Sequence, residues 1–454
     1  MTTIYDPSHQ AYLDEADLRA EMTRVYDLCH GCRLCFNLCP SFPTLFDFID
    51  QRDGDVASMT VAEQDKVVDE CYQCKLCFVK CPYVPPHEWA LDFPRLMMRA
   101  RAVRTSSGKR PSSEKLADQF LGRTDLIGRL STLAAPVVNA LTGTPSSLAR
   151  RAMQATVGIA AERLLPPYAR QRFTTWFAKN RHAGEPAHGA TPQATATVFP
   201  TCFVEYMEPD IGKDVVRVLA HNGVACQVPQ GTRCCGAPWL HSGNVEAFVA
   251  AARRNVAALS TDVAAGRDVI VAQPTCAYVL KKDYPLYLGT PAAEELAAHT
   301  FDPAEYLMRL RSGGETTLET DFDGTVPESV TYHVACHLQA QNIGLKSRDL
   351  LKLTGTAVNV VSRCSGIDGT WGYRKENYAL ARKVAAPLKR DIEAAGGEVV
   401  CGDCLLANGA ILQETGRRAV HPIQIVARAY GLGDGGADGD NGGDGAGGEA
   451  AGES

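Results

Sequence analysis

The sequence lacks several features that would assign it to a familiar class. No stretch of about 18 residues is apolar and free of charge, so no membrane-spanning helix is predicted. Residues 1–22 are acidic and contain no apolar segment, which predicts neither a signal peptide nor a twin-arginine leader, and we expect a reducing cytoplasmic location. There is no G-x-G-x-x-G fingerprint and no phosphate-binding loop, so we expect no nucleotide or flavin bound by the chain itself.

The chain also lacks a recognisable general acid, base or nucleophile for an organic substrate, which favours an electron-transfer subunit over a substrate-oxidising one. Its 17 cysteines are absent from residues 101–192 and elsewhere cluster with gaps of two or three residues. Such clustering suits metal ligation better than disulfide bridges.

Cysteines, charge and apolar runs divide the 454 residues into five segments of an α+β, multidomain protein. Residues 434–454 are rich in glycine and acidic residues and are predicted to be disordered, because they cannot bury enough apolar surface. The other segments are a helical ferredoxin-type domain (1–100), a basic helical connector (101–192), and two α/β units, module 1 (193–316) and module 2 (317–433).

Two cysteine runs of identical spacing form the strongest motif. Each reads Cys-x2-Cys-x2-Cys-x3-Cys-Pro, a pattern in which the cysteine before proline binds the cluster of the other run. The sequence therefore predicts two [4Fe–4S] clusters with interlocking loops. The first would be held by Cys29, Cys32, Cys35 and Cys81, and the second by Cys71, Cys74, Cys77 and Cys39.

Structural zinc is the alternative interpretation of these runs. Zinc sites usually pair two Cys-x2-Cys elements, whereas triple runs ending in Cys-Pro are typical of iron–sulfur clusters. A helical pattern from Asp65 to Glu70 favours a helical ferredoxin domain. His30 lies between ligands but is not expected to ligate, because all thiolate positions are filled.

Residues 193–433 contain one arrangement twice, in which predicted strands alternate with helices and cysteines follow the strands. Because ligand sites in such sheets lie at the carboxyl ends of strands, we expect the cysteines of each module to converge. The predicted strands are 197–199, 224–228 and 269–272 in module 1, and 330–334, 357–361 and 398–400 in module 2.

These elements resemble the CCG domain found in the B subunit of heterodisulfide reductase and its relatives, whose pattern is Cys, then Cys-Cys-Gly, then Cys-x2-Cys. Gln273 replaces one cysteine of module 1 and Ser365 replaces one of module 2, so each module keeps four. The retained candidate metal ligands are Cys202, Cys234, Cys235 and Cys276 in module 1, and Cys336, Cys364, Cys401 and Cys404 in module 2.

Four thiols can hold one ordinary cluster, whereas the disulfide-cleaving cluster of that family uses five. The sequence leaves three alternatives for each module: it binds a further iron–sulfur cluster, a zinc ion, or no metal. Cys226 lies in an apolar run and is predicted to be a buried small side chain. Residues expected near the thiols without ligating are His241, His333, His337, Trp239 and Trp371.

The connector carries a concentrated positive charge. Between Arg95 and Arg181 there are 16 Lys and Arg against 4 Asp and Glu, in a chain of net charge −6. Pro136 predicts a break between two short helices. An apolar stripe follows helical spacing at Leu126, Leu130, Leu133 and Val137, flanked by Ile127 and Leu141.

An apolar stripe beside arginines is typical of a helix lying on an anionic membrane surface, and Arg150, Arg151 and Arg163 are expected to add to this charge. Two other interpretations of this segment have equal support: a packed helix with a solvated face, and a docking surface for an acidic partner. No motif supports nucleic-acid binding, which we do not expect.

Residues 20–430 resemble the C subunit of anaerobic glycerol-3-phosphate dehydrogenase. Besides the cysteines, three stretches carry the resemblance: CPYVPPHEWALDFPRL (81–96), RLLPPYARQRFTTWF (163–177) and RCSGIDGTWGYRKENY (363–378). The resemblance implies a protein of anaerobic glycerol metabolism that is bound peripherally to the cytoplasmic face of the membrane. Such a protein takes electrons from an FAD-dependent dehydrogenase subunit and delivers them to membrane quinone or a quinone-binding anchor.

Other functions stay open. Similar chains serve lactate and glycolate oxidases, so the resemblance implies the role more firmly than the donor. A heterodisulfide-reductase-like thiol or disulfide reductase would need five thiolates in one module. A scaffold with zinc-filled modules is the non-redox alternative.

Overall fold

The computed structural model describes residues 5–108, 112–186, 191–312, 317–367 and 369–432. The tail at 434–454, predicted to be disordered, lies outside these residues.

Five helices form the N-terminal region: α1 (Glu15–Cys32), α2 (Ser41–Asp50), α3 (Val61–Glu70), α4 (Leu76–Lys80) and α5 (Phe93–Ser106). They pack around one apolar core. Local capping sets where they begin: Thr60 and Glu63 form a capping box at α3, and Asp92 accepts a hydrogen bond from the Arg95 amide at α5. Helix α5 continues past residue 100, the predicted end of the first domain, and this boundary stays a prediction.

The connector contains helices α6 (Ser112–Gly122), α7 (Thr124–Leu133), α8 (Ala135–Thr142), α9 (Leu148–Val157) and α10 (Phe173–Lys179). The break predicted at Pro136 is confirmed, because α7 ends at Leu133 and α8 begins at Ala135 with Pro136 in its first turn. The apolar stripe lies on the outer surface: Leu133 is 85% exposed and Val137 is 62% exposed.

The basic residues of the connector behave differently from the expectation. Arg150 is fully buried and donates hydrogen bonds to the carbonyl oxygens of Thr142, Ala160 and Arg163. Arg163 is also buried, bonded to Gln413 and stacked on Tyr378. The expectation that Arg150 and Arg163 add to a surface charge is therefore wrong, because their guanidinium groups satisfy carbonyl and amide oxygens inside the protein. Arg151 is exposed.

Module 1 is a parallel sheet in the order β2-β1-β3-β4, flanked by helices. Its strands are β1 (Ala194–Val198), β2 (Val224–Gln227), β3 (Asp268–Ile270) and β4 (Thr300–Phe301). Its helices are α11 (Cys202–Tyr206), α12 (Pro209–His221), α13 (Ala237–His241), α14 (Val245–Ala264), α15 (Pro274–Tyr278), α16 (Tyr284–Leu288), α17 (Pro291–Ala298) and α18 (Pro303–Ser312).

Module 2 repeats this topology, with a parallel sheet in the order β6-β5-β7-β8. Its strands are β5 (Ser329–His333), β6 (Ala357–Val361), β7 (Val399–Gly402) and β8 (Ala419–Val420). Its helices are α19 (Cys336–Ala340), α20 (Lys346–Leu353), α21 (Tyr378–Ala395), α22 (Leu405–Thr415) and α23 (Pro422–Ala429).

The predicted α/β repeat is confirmed, and each predicted strand overlaps an observed one. The sequence pattern does not predict the two edge strands β4 and β8, because each has only two residues. Helices α12 and α23 pack against each other, and one apolar core contains residues of both modules and of α10. This shared core fixes the modules relative to each other.

Candidate functional site

The two cysteine runs fold into matching loops. Arg33 and Lys75 occupy the same place, directly after the second cysteine of each run, and both have left-handed backbone with φ of 51° and 64°. This reversal turns the chain so that the third cysteine of each run faces the same centre as the first two.

The first thiol group contains Cys29, Cys32 and Cys35 from run one and Cys81 from run two. Burial raises the pKa of Cys29, and the neighbouring Cys35, Cys81 and Cys32 raise it further. Burial and Cys81 raise the pKa of Cys35 to about 11. All four cysteines line one cavity, together with Phe42, Phe46, Leu91 and other apolar residues.

The second thiol group contains Cys71, Cys74 and Cys77 from run two and Cys39 from run one. Burial and the neighbouring Cys71 raise the pKa of Cys39. Cys74 and Cys77 both lie near Cys39, and Cys77 also lies near Cys71. The structure thus brings each cysteine that precedes a proline to the opposite run. The assignment of these eight residues as cluster ligands stays a prediction.

The two groups differ in exposure. Cys32 of the first group is exposed, and three apolar side chains of its loops, Leu34, Phe36 and Val79, are 45%, 45% and 48% exposed. In the second group Cys71, Cys74 and Cys77 are buried. The first group therefore faces the surface and the second faces the interior.

Module 1 brings all four of its predicted thiols together. Hydrogen bonds link Cys202 to Cys234, Cys234 to Cys235, and Cys235 to Cys276. The bonds from Cys202 and Cys235 lower the pKa of Cys234 well below its usual range. The same contacts raise the pKa of Cys202 and of Cys235. Helix starts position these residues: Thr201 caps α11 beside Cys202, and Gly236, with φ of 88°, precedes α13.

Module 2 places Cys401 apart from its other three thiols. Cys336 and Cys364 lie near Cys74 of the second group, and Tyr72 and Trp371 pack against them. Cys404 accepts a hydrogen bond from the Gln273 amide at 3.5 Å. Cys401 is fully buried in the apolar core of the module 2 sheet, beside Val330, Tyr332 and Ile425.

Sheet register explains the position of Cys401. Cys401 pairs with Tyr332, and Ile270 pairs with Val198; both partners precede the first cysteine of their module by four residues. Gln273 and Cys404 each immediately precede the helix that follows the third strand. In the sequence pattern, Gln273 of module 1 was matched with Cys401 of module 2. The structure matches Gln273 with Cys404, three residues later, so that prediction is wrong. The role of Cys401 as a ligand stays a prediction, but the structure does not place it with the other thiols.

Polar side chains surround the thiols without forming ligand sets of their own. His337 contacts the Gln73 carbonyl oxygen through Nε2 and the Thr275 hydroxyl through Nδ1, both at 3.0 Å. His333 contacts the Arg363 carbonyl oxygen at 2.9 Å. Burial lowers the pKa of both histidines, to about 3 for His337.

Two buried residues beside the second thiol group were missed from sequence. Gln73 approaches the Cys71 sulfur at 3.4 Å and donates to the Pro94 carbonyl oxygen. Lys75 is almost fully buried and lies over the Tyr278 ring. Both occupy variable positions of the cysteine motif, so the motif itself gives no signal for them.

The donor chemistry of these groups fits iron–sulfur clusters. Each of the first two groups offers four thiols, the ligand set of a [4Fe–4S] cluster, in largely apolar surroundings. Within the described ranges, no three Cys, His, Asp or Glu side chains are close enough to bind a single metal ion, whereas the four thiols of a [4Fe–4S] cluster each bind a different iron atom. In the same part of the chain, no helix combines the length and the apolar character needed to cross a bilayer.

Comparison with known families defines the class of protein. The Fer4-like domain of citrate utilization protein B matches residues 22–107, and the cysteine-rich domain called CCG matches residues 196–281 and 330–407. The chain is 32% identical to the C subunit of anaerobic glycerol-3-phosphate dehydrogenase of Escherichia coli K12 over 337 residues, 74% of this chain and 81% of that protein. It belongs to the family of that protein.

More distant relatives cover about half of the chain. Lactate utilization protein A of Bacillus pumilus is 25% identical over 50% of this chain and 94% of its own length. The B subunit of fumarate reductase (CoM/CoB) of Methanothermobacter marburgensis is 27% identical over 52% of this chain and 46% of its own length. The cysteine-rich architecture thus occurs in proteins named for different substrates.

Proposed function

We propose that this chain is an iron–sulfur electron-transfer subunit that accepts electrons from an FAD-dependent dehydrogenase subunit and passes them to membrane quinone. The name of its E. coli relative supports glycerol 3-phosphate as the substrate of the donor subunit. A bound [4Fe–4S] cluster supplies reversible one-electron transfer. The chain itself supplies the thiolates, the apolar enclosure and the spacing between sites.

The exchange of Cys39 and Cys81 between the two runs is the observation that carries this proposal. It joins two four-thiol groups into one unit, as in two-cluster ferredoxins. Because each run supplies one thiol to the group of the other, neither group is complete unless both runs fold together.

Exposure suggests the direction of transfer. The first group lies at the surface with Cys32 exposed, which suits electron entry from a partner. The second group is interior, and its Cys74 lies near Cys336 and Cys364 of module 2. Electrons would therefore enter at the first group, pass through the second, and continue into the modules.

The exposed apolar stripe of α7 and α8 is the proposed contact with the cytoplasmic face of the membrane. Leu133 and Val137 are more than half exposed. Arg151 of the neighbouring helix α9 is exposed, whereas Arg150 is buried and offers no charge to a lipid headgroup.

Anaerobically purified chain tests the proposal. We expect Cys39→Ser to remove the magnetic resonance signal of the second cluster while the first remains reducible by a photoreduced flavoprotein, because Cys39 joins the thiols of run two. Cys226→Ser is the matched control, since Cys226 lies apart from every thiol group and contacts the Val224 carbonyl oxygen. Loss of the first cluster alone, or identical spectra in both variants, would contradict the proposal.

A further inference from the structure

A large cavity lies between the connector and the two modules, with most of its module lining from module 1. Its volume is about 460 Å³. At its inner end are the thiols of Cys202, Cys234, Cys235 and Cys276, and apolar residues of α6 to α9 form much of the opposite wall. A cluster held by the four thiols would occupy only that inner end, because Val138 and Met153 line the cavity from α8 and α9.

The lining is suited to an uncharged ligand. None of the described lining residues is Lys, Arg, His, Asp or Glu. The modules contribute five uncharged polar side chains to the lining: Tyr206, Gln273, Thr275, Thr370 and Tyr373. Thr275 contacts His337, and Gln273 contacts Cys404, so both are held in place. Few polar groups in an apolar cavity orient a ligand that is otherwise held by apolar contact.

One residue of the exposed apolar stripe also lines the cavity. Leu130 lines the cavity and is 59% exposed. Leu133 and Val137, on the same pair of helices, are also exposed but do not line it. A ligand in this cavity is therefore separated by one helix layer from a surface suited to lipid.

We propose that this cavity binds a lipid-soluble quinone, with the ring near the module 1 thiols and the isoprenoid tail along α7 to α9. The inference rests on the proposed function and assigns its acceptor site. Reduction to quinol takes two electrons, supplied one at a time by the clusters that the flavoprotein partner has reduced, and two protons from solvent. A small charged disulfide fits less well, because the described lining offers no cation to pair with it.

Equilibrium dialysis of the anaerobic full-length chain against decylubiquinone tests this site. We expect saturable binding, weakened about tenfold or more by Ile127→Trp and by Met153→Trp, because either indole would fill the cavity. Leu133→Trp is the matched control on the same helix and should bind within about twofold of the unmodified chain, since Leu133 lies outside the cavity. Thermal melting of each variant checks that it is folded.

The outcomes separate this inference from the proposed function. Iron content and bleaching by dithionite are measured on the same samples. Reducible clusters without quinone binding, or binding that neither cavity variant weakens, would overturn the inference and leave the electron-transfer function standing. Equal displacement of the quinone by dodecanol would show an acyl-chain site and would also overturn it. A chain without iron would overturn both.

Discussion

The two cysteine-rich modules share one sheet topology but arrange their thiols differently. Module 1 gathers four thiols at the cavity beneath the connector. Module 2 directs Cys336 and Cys364 toward the second ferredoxin-type group, Cys404 toward Gln273, and Cys401 into its own core. One topology therefore supports a self-contained thiol site in one copy and an inter-domain junction in the other.

This difference shows that the position of a cysteine relative to the end of its strand determines whether its thiol can reach a ligand. A residue inside a buried strand packs into the sheet, whereas a residue just beyond the strand end can reach a ligand. Cys401 lies inside β7 and Cys276 lies in the first turn of α15, beyond the end of β3. The cysteine motif alone does not reveal this difference.

The largest expected effect separates these two cysteines. Cys276→Ala should remove the metal content of module 1, about four iron atoms if it holds one [4Fe–4S] cluster, because the site loses one of its four thiols. Cys401→Ala should leave the iron content unchanged and cost only the packing of one buried sulfur. Iron analysis of anaerobically purified variants checks both, and equal iron losses would remove the distinction between the modules.

A smaller effect is expected from the glycines that follow the paired-cysteine positions. Gly366→Ala should lower the free energy of unfolding by about 4 kcal/mol, because φ is +67° and the new Cβ would overlap the Ala381 carbonyl oxygen. Gly236→Ala should cost about 2 kcal/mol, since its Cβ would meet the Phe248 ring, 2.9 Å away, which can move. Urea denaturation measures both.

If Gly236→Ala proved the more damaging of the two, the module 1 loop rather than the module 2 junction would be the tighter element. That result would reverse the comparison of the two modules.

The smallest effect concerns the connector that covers module 1. Arg150→Met should lower the free energy of unfolding by about 2 kcal/mol, because three carbonyl oxygens lose their donor. Arg151→Met, one residue away and exposed, should change it by less than about 0.5 kcal/mol. If both variants unfolded at the same urea concentration, the three hydrogen bonds of Arg150 would contribute nothing to stability.

The ferredoxin-type runs and the α/β repeat could be predicted from the sequence. Motif spacing predicts which thiols can meet, and short runs of three or more mainly apolar residues predict strands. Local sequence could not reveal the burial of Arg150 or Arg163, because Arg150 donates to backbone carbonyl oxygens and Arg163 donates to Gln413, partners that the fold brings near.

The cavity and the module 2 junction were not predictable for a related reason. Ile127 and Cys276 are 149 positions apart in the sequence, yet both line the cavity. Cys74 and Cys336 belong to different domains, and only the docking of the N-terminal region on module 2 brings them together. Such long-range contacts carry no periodic signal in a single sequence.

Iron content with electron paramagnetic resonance of the anaerobically purified, dithionite-reduced chain tests the central claim most directly. We expect at least about eight iron atoms per chain and the spectrum of two magnetically interacting [4Fe–4S] clusters, because the two thiol groups share loops. A colourless protein containing zinc in place of iron would contradict the account.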